Sequence, residues 1–293
     1  MAFNWQTFKT RTLTAAIFVI VMLSGLLINR WTFFALFSMI HFGCWWEYLR
    51  LVEKIQRTRL NKYFQLGLIV IGYGLMIGLS NSEFTAGSYG LTKNLSLPVS
   101  VAGFVLLIVS IFQKERVPLK SLVISLAGLI YISFSIGLLT NLYKPVVIHI
   151  HDSAFITGTL YFYPALIIAS LWVNDTMAYI VGSLLGKSQM SRISPKKTWE
   201  GTTGGVLFCV LTIFLFTDYV LHSGLASNYF AAIALIVAVT GTFGDLLESK
   251  LKRMAGVKDS GHIMPGHGGF LDRFDSLLLA TPFVWIFIYA LAR

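Results

Sequence analysis

Nine stretches of mostly apolar residues alternate with short polar connections along the whole chain. They cover residues 13–29, 31–49, 63–80, 97–112, 119–140, 159–184, 202–221, 229–247 and 274–292. Most are close to the roughly 20 residues that cross a hydrocarbon layer about 30 Å thick. They lack the strict alternation of membrane β-strands, and in lipid a helix satisfies its own backbone groups. The pattern predicts an all-α, polytopic membrane bundle of about nine transmembrane helices.

The amino-acid composition also indicates a membrane protein. Only 12% of the 293 residues are charged and 56% are apolar, whereas a soluble domain carries about 25% charged residues. A water-soluble globule and a disordered chain are therefore excluded. The net charge of +10 would suggest nucleic acid as the partner of a soluble protein. In a membrane protein the basic residues must first be assigned to the two sides of the membrane, and no nucleic-acid partner is expected.

The basic residues are distributed unevenly between alternate connections. If the N-terminus is cytoplasmic, nineteen of the 23 Lys and Arg fall in cytoplasmic segments. The outer segments hold only Arg30, Lys93, Lys144 and Arg293. Cytoplasmic loops are enriched in Lys and Arg, so this bias predicts a cytoplasmic N-terminus and an outer C-terminus.

The acidic residues divide the chain into two parts. Residues 1–158 are predicted to form a membrane scaffold of about five helices whose apolar runs hold no ionisable group at depth. Residues 159–293 are predicted to form a catalytic membrane domain of about four helices. Acids occur there at the ends of spans: Asp175, Glu200, Asp245, Glu248, Asp272 and Asp275. Ionisable groups beside spans are costly, so they indicate a functional site.

The densest polar segment runs from 241 to 275. On a helix, Asp245, Glu248 and Ser249 share one face, and Asp272 and Asp275 are three residues apart at the start of the last helix. Carboxylates converging without cysteine favour a hard cation such as Mg²⁺. Asp245, Glu248, Asp272 and Asp275 therefore form a candidate site for such a cation, provided that the intervening loop brings the two acidic faces together.

Cations and glycines are interleaved with these acids. Lys252, Arg253, Lys258 and Arg273 suit the oxygens of a polyphosphate, and Gly268 and Gly269 let backbone amides approach an anion. His267 is a candidate phosphate donor or proton carrier. Asp245, Asp272, Asp275, Lys258 and Arg273 are the predicted catalytic set, and the chemistry is metal-assisted phosphoryl or nucleotidyl transfer.

A second polar segment lies in the preceding connection, before the seventh helix. Its Lys196, Lys197 and Thr198 can bind phosphate near a helix N-terminus. The predicted substrate-binding residues are Asp175, Lys196, Lys197, Thr198, Glu200, Ser249, Lys252, Arg253, His267, Gly268 and Gly269.

Simpler interpretations compete for single residues. Basic residues of cytoplasmic loops are first of all topology signals and contacts of anionic lipid. The Asp-Arg-Phe-Asp segment at 272–275 is also a suitable helix start. Glu248 can pair with Lys252 one turn further on.

The segment from Ser249 to Asp275 closely resembles the signature of the phosphatidate cytidylyltransferases, or CDP-diacylglycerol synthases. It contains Ser-Lys-Leu-Lys-Arg, Lys-Asp-Ser-Gly, Pro-Gly-His-Gly-Gly and Asp-Arg-Phe-Asp, and residues 194–201, Ser-Pro-Lys-Lys-Thr-Trp-Glu-Gly, resemble a second block. The resemblance implies transfer of a cytidylyl group from CTP to phosphatidic acid. It also implies Mg²⁺ with K⁺ as a candidate second ion on Asp245, Asp272 and Asp275, and a homodimer among membrane lipids.

Two other functions remain open at this stage. A CTP-dependent lipid alcohol kinase would release CDP instead of pyrophosphate. A secondary transporter would hold its charged groups near mid-membrane, whereas these gather at one face. The expected location is the plasma membrane, with the active site toward the cytoplasm.

Overall fold

The computed structural model describes residues 5–113, 117–144, 162–220, 226–263 and 268–291. Within these ranges the chain is almost entirely helical. The helices are α1 Trp5–Leu27, α2 Arg30–Gln56, α3 Lys62–Leu79, α4 Leu91–Asn94, α5 Ser96–Ile111, α6 Leu119–Gly128, α7 Ser135–Asn141, α8 Phe162–Leu185, α9 Trp199–Leu215, α10 Ala226–Met254 and α11 Leu271–Leu291. π-helical turns at Leu129–Phe134 and Phe216–Val220 continue α6 and α9.

The strands form one small hairpin in the described ranges. β1, Thr85–Ala86, pairs antiparallel with β2, Tyr89–Gly90. The turn contains Gly87 at φ 62°, a left-handed conformation that glycine adopts without a steric penalty.

Seven helical segments of the described chain are long and apolar enough to cross a membrane. They are Lys62–Leu79, Leu91–Ile111, Leu119–Asn141, Phe162–Leu185, Trp199–Tyr219, Ala226–Met254 and Leu271–Ala290. The apolar part of α1, Thr12–Leu27, is shorter, and α2 does not belong to this set. The prediction of an all-α membrane protein is thus confirmed in its coarse form.

The chain forms two compact units. Unit 1 contains Met1–Asn141 and Lys250–Phe274, and unit 2 contains Leu142–Ser249 and Asp275–Arg293. Neither unit is one continuous segment. The division into a scaffold and a catalytic domain at residue 158 stays a prediction about function.

The centre of unit 1 is built around α2. Trp45, which is fully buried, donates its indole N–H to Ser133 Oγ at 2.8 Å, and His41 Nε2 lies 2.9 Å from the same hydroxyl. Glu47, on the same helix, is only 1% exposed. The expectation that the apolar runs of this half hold no ionisable group at depth is therefore wrong for α2.

Unit 2 depends on a very close approach of α8 to α9. A Cβ atom at Gly205 would lie 2.8 Å from Ala178 Cβ and 2.8 Å from the Asn174 carbonyl oxygen. At Gly201 it would lie 2.8 Å from the Ala178 carbonyl oxygen. Small residues four apart allow helix backbones to pack in this way in membranes.

Replacing Gly205 by Ala should therefore destabilise unit 2. The added atoms meet backbone, which cannot rotate away, and overpacking of this kind costs about 1–3 kcal/mol. We expect a lower melting temperature of the purified protein in detergent. Gly78→Ala is the matched control, because its Cβ would meet Ser96 Cβ at an ordinary 3.6 Å. Equal melting temperatures for both variants would contradict the packing argument.

Candidate active site

A cavity of about 440 Å³ opens within unit 2. It is lined by residues of α8, the connection before α9, the start of α9, and α10. The polar members of its lining are Asn174, Asp175, Ser183, Ser194, Lys196, Lys197, Thr198, Thr202, Thr242 and Asp245. The two polar segments of unit 2 that the sequence singled out, around 196–198 and 245, therefore meet at one cavity.

Lys197 and Asp245 form an ion pair in this cavity. Both are partly exposed, at 26% and 34% of their side chains, so they remain accessible to a ligand. Asp245 Oδ1 also accepts the Ser249 hydroxyl at 3.2 Å. The ion pair places a cation, which suits phosphate oxygens, beside an anion, which suits a metal ion. A polyphosphate bound with its metal ion requires both.

The connection before α9 is held by its own hydrogen bonds. Thr198 caps α9 by accepting the Gly201 amide at 3.1 Å. Glu200 accepts the amides of Lys187 and Ser188, each at 3.1 Å. Glu200 therefore orders the loop that carries the lysines, and Thr198 orients the beginning of the helix.

Three carboxylates converge within unit 2. One oxygen from each of Asp245, Glu248 and Asp275 lies within 4.8 Å of the others. The close packing has a clear cause, since a Cβ at Gly244 would lie 2.6 Å from the Asp275 carbonyl oxygen. Only a glycine there lets the start of α11 approach α10 so closely. Such an all-oxygen donor set fits Mg²⁺.

A second network lies within unit 1, around Asp272 in the first turn of α11. Lys252 Nζ lies 2.7 Å from Asp272 Oδ1. Asp272 Oδ2 accepts two further bonds, from the Ser260 and Gly269 amides at 2.9 and 2.8 Å, and it lies 2.9 Å from the Ser260 hydroxyl oxygen. A carboxylate has about four lone-pair positions, so this one is highly ordered.

The remaining predicted residues occupy several positions. Asp175 and Lys196 are exposed at the cavity, and Lys258 and Arg273 are exposed in unit 1. Arg253 donates to the Val257 carbonyl at 3.2 Å. Gly268 has φ 83°. His267 lies outside the described residues.

Glu248 also has the spacing to pair with Lys252 on a solvated helix face, as a simpler interpretation. Its side chain is completely buried, and its carboxylate belongs to the cluster with Asp245 and Asp275. The spacing of three residues from Asp245 was the available signal. The predicted metal roles of Asp245, Asp272 and Asp275 remain predictions, and Glu248 joins them as a candidate.

Fold and site together define a helical membrane protein with a lysine- and carboxylate-lined site suited to phosphate and a divalent cation. Residues 9–291 match the Cytidylyltransferase family. The chain belongs to this family.

Two curated relatives match the chain over nearly their full length, and a third matches over less than half of it. The chain is 33% identical over 285 residues to a protein of Staphylococcus saprophyticus named phosphatidate cytidylyltransferase, covering 96% of this chain and 98% of the relative. It is 30% identical over 305 residues to one of Synechocystis with the same name, covering 96% of each. A Thermotoga maritima protein, also so named, is 44% identical over 126 residues, which are 41% of this chain and 47% of that protein.

Proposed function

We propose that this protein is a phosphatidate cytidylyltransferase. It joins phosphatidic acid to the cytidylyl group of CTP, and the products are CDP-diacylglycerol and pyrophosphate. The observation that carries the proposal is the cavity in which Lys197 pairs with Asp245 beside the buried carboxylates of Glu248 and Asp275. Membership of the family and the names of its near full-length relatives support the same reaction.

The chemistry needs positioning more than proton transfer. A phosphate oxygen of phosphatidate bonds to the α-phosphorus of CTP, and the bond from that phosphorus to the oxygen bridging to the β-phosphate breaks. Pyrophosphate leaves with the electron pair. Because the nucleophile is already anionic, no side chain has to act as a strong base. Lys196 and Lys197 hold phosphate oxygens, and fixed charges stabilise the transition state.

Mg²⁺ is the proposed metal. Asp245, Glu248 and Asp275 offer oxygen ligands within 4.8 Å of one another, and Asp272 is a further ligand predicted from the sequence. When bound, the ion would neutralise phosphate oxygens and so favour attack at phosphorus. K⁺ is a candidate second ion on the basis of the family resemblance.

The enzyme is proposed to lie in the plasma membrane with nine spans and its active site toward the cytoplasm. The bias of Lys and Arg between alternate connections supports this orientation. The acyl chains stay in lipid, because withdrawing them would cost about 0.8 kcal/mol per CH₂ group. A homodimer is the proposed assembly.

The deciding experiment identifies both products. Purified protein is incubated with labelled CTP, phosphatidic acid and Mg²⁺, and the lipid and nucleotide products are separated. CDP-diacylglycerol with pyrophosphate is the expected result. Release of CDP would instead indicate a lipid kinase. Substrate flux across proteoliposomes without pyrophosphate would indicate a transporter.

Removal of divalent cations should abolish pyrophosphate release. The clustered carboxylates repel one another and the phosphates of CTP unless a cation lies among them. We expect no measurable rate in excess EDTA and recovery when Mg²⁺ is restored. An unchanged rate in EDTA would overturn the metal assignment.

A further inference from the structure

Among the described carboxylates of unit 1, that of Glu47 in α2 is the most deeply buried. No sequence motif indicates this residue. It is 1% exposed. Its Oε1 accepts the Phe270 amide at 3.0 Å, and its Oε2 accepts the Leu271 amide at 2.9 Å and the Ser260 hydroxyl at 2.7 Å. Three donors therefore converge on one carboxylate.

Two of these donors are the amides at the beginning of α11. The first amides of a helix have no partner inside it, and the helix dipole favours a negative charge at that end. Glu47 thus caps α11 from another helix more than 200 positions earlier in the chain. These contacts offset the cost of burying its charge.

Ser260 connects Glu47 to Asp272. The Ser260 hydroxyl donates to Glu47 Oε2 at 2.7 Å, and its oxygen accepts the Asp272 amide at 3.3 Å. The Ser260 amide donates to Asp272 Oδ2 at 2.9 Å. Asp272 in turn pairs with Lys252 at 2.7 Å. A hydrogen-bonded chain therefore leads from α2 through the loop to the predicted site residues of unit 1.

Two glycines make room for the Glu47 carboxylate. A Cβ atom at either Gly261 or Gly269 would fall on its oxygens. Neither glycine has φ in the left-handed region, so a close approach explains them better than a turn conformation does. Both described ends of the loop between α10 and α11 therefore approach Glu47 closely, at Gly261 and at Gly269.

We propose that Glu47 is the positioning residue of segments 258–263 and 268–272, the described ends of the loop between α10 and α11. It fixes both ends of that loop, and through Ser260 it orients Asp272 and Lys252. The inference rests on the proposed function, because this loop carries the predicted nucleotide-binding residues. It assigns to the N-terminal half a direct part in organising the site.

Glu47→Gln tests the proposal. Glutamine keeps the shape of the side chain, but its NH₂ group is a donor. It cannot accept the hydrogen bonds that the replaced carboxylate oxygen accepts. We expect kcat/KM for CTP to fall between about tenfold and a hundredfold, as for groups that orient catalytic ligands, with a rise in KM for CTP. A merely structural role would lower the amount of folded enzyme and hence kcat, with KM unchanged.

Glu53→Gln is the matched control. Glu53 lies on the same helix and accepts the Leu60 amide at 2.8 Å and the Gln65 side chain at 3.0 Å. Its loss removes similar bonds at the connection to α3. We expect a wild-type KM for CTP.

Ser260→Ala supplies the second variant and a double-mutant cycle. Alone it should raise KM for CTP less than Glu47→Gln does, because both amide bonds of Glu47 remain. If the two residues act through one contact, their effects should not add. Should Glu47→Gln fail to fold, a folded Ser260→Ala with wild-type KM for CTP would overturn the proposal.

Hydrogen exchange gives a measurement independent of activity. The Phe270 and Leu271 amides should exchange at least about tenfold faster in Glu47→Gln than in the wild-type protein. Their exchange rates should be unchanged in Glu53→Gln. Unchanged protection, or a wild-type KM for CTP in folded Glu47→Gln, would refute the positioning role. If the wild-type protein releases no pyrophosphate, the proposed function fails, and exchange alone still decides about Glu47.

Discussion

Asp245→Asn is expected to abolish turnover, lowering the rate of pyrophosphate release by at least about 100-fold. Asp245 forms the ion pair with Lys197, accepts the Ser249 hydroxyl, and contributes to the three-carboxylate cluster with Glu248 and Asp275. An amide keeps the volume but loses the charge, so both the proposed metal affinity and the position of Lys197 should suffer.

The measurement is the initial rate with CTP, phosphatidic acid and Mg²⁺ in detergent. Asp218→Asn is the control, because Asp218 is also hydrogen-bonded, to Ser227 at 3.1 Å. It lies 20 residues after Thr198 along the α9 segment, about 30 Å at 1.5 Å per residue. We expect near-wild-type turnover there. If Asp245→Asn were equally active, the cavity in unit 2 would not be the catalytic site.

Hydrophobic runs predicted where the helices lie better than how far they extend. The run 31–49 became α2, which ends at Gln56, and the run 229–247 became α10, which continues to Met254. A run of apolar residues marks the part suited to lipid, whereas a helix continues through good helix formers such as Glu53 and Lys252 until it is capped. The two-residue strands of the hairpin are too short for any periodicity to reveal.

The site was predictable where its residues fall within dense polar segments of the sequence. Lys197 and Asp245 were both proposed from dense polar segments, and the structure brings them together in one ion pair. Glu47 was missed because a single acid within an apolar run has no spacing pattern. Its partners lie more than 200 positions away, so its role follows from tertiary packing alone. The sequence reveals functional residues that are grouped within one segment, but it does not reveal a carboxylate that caps a distant helix.

Asp272→Asn should also abolish turnover, again by at least about 100-fold. Asp272 accepts the Lys252 ammonium at one oxygen and the Ser260 and Gly269 amides at the other. Asparagine has one acceptor oxygen, and its NH₂ group would face either the ammonium of Lys252 or the donors of the loop. Both orientations disturb the order of the loop, and the charge that balances Lys252 is lost.

The variant must be compared with wild type for both folding and rate. A monodisperse, folded protein with a lowered melting temperature and no pyrophosphate release is the expected outcome, with Asp218→Asn measured in parallel. Lys252→Met offers a further check, because it removes the other partner of the same ion pair. It should therefore also lower the rate. In the double variant the losses of the two single variants should not add. Near-normal turnover in folded Asp272→Asn would show that the ordered carboxylate at the start of α11 serves the helix and not the reaction.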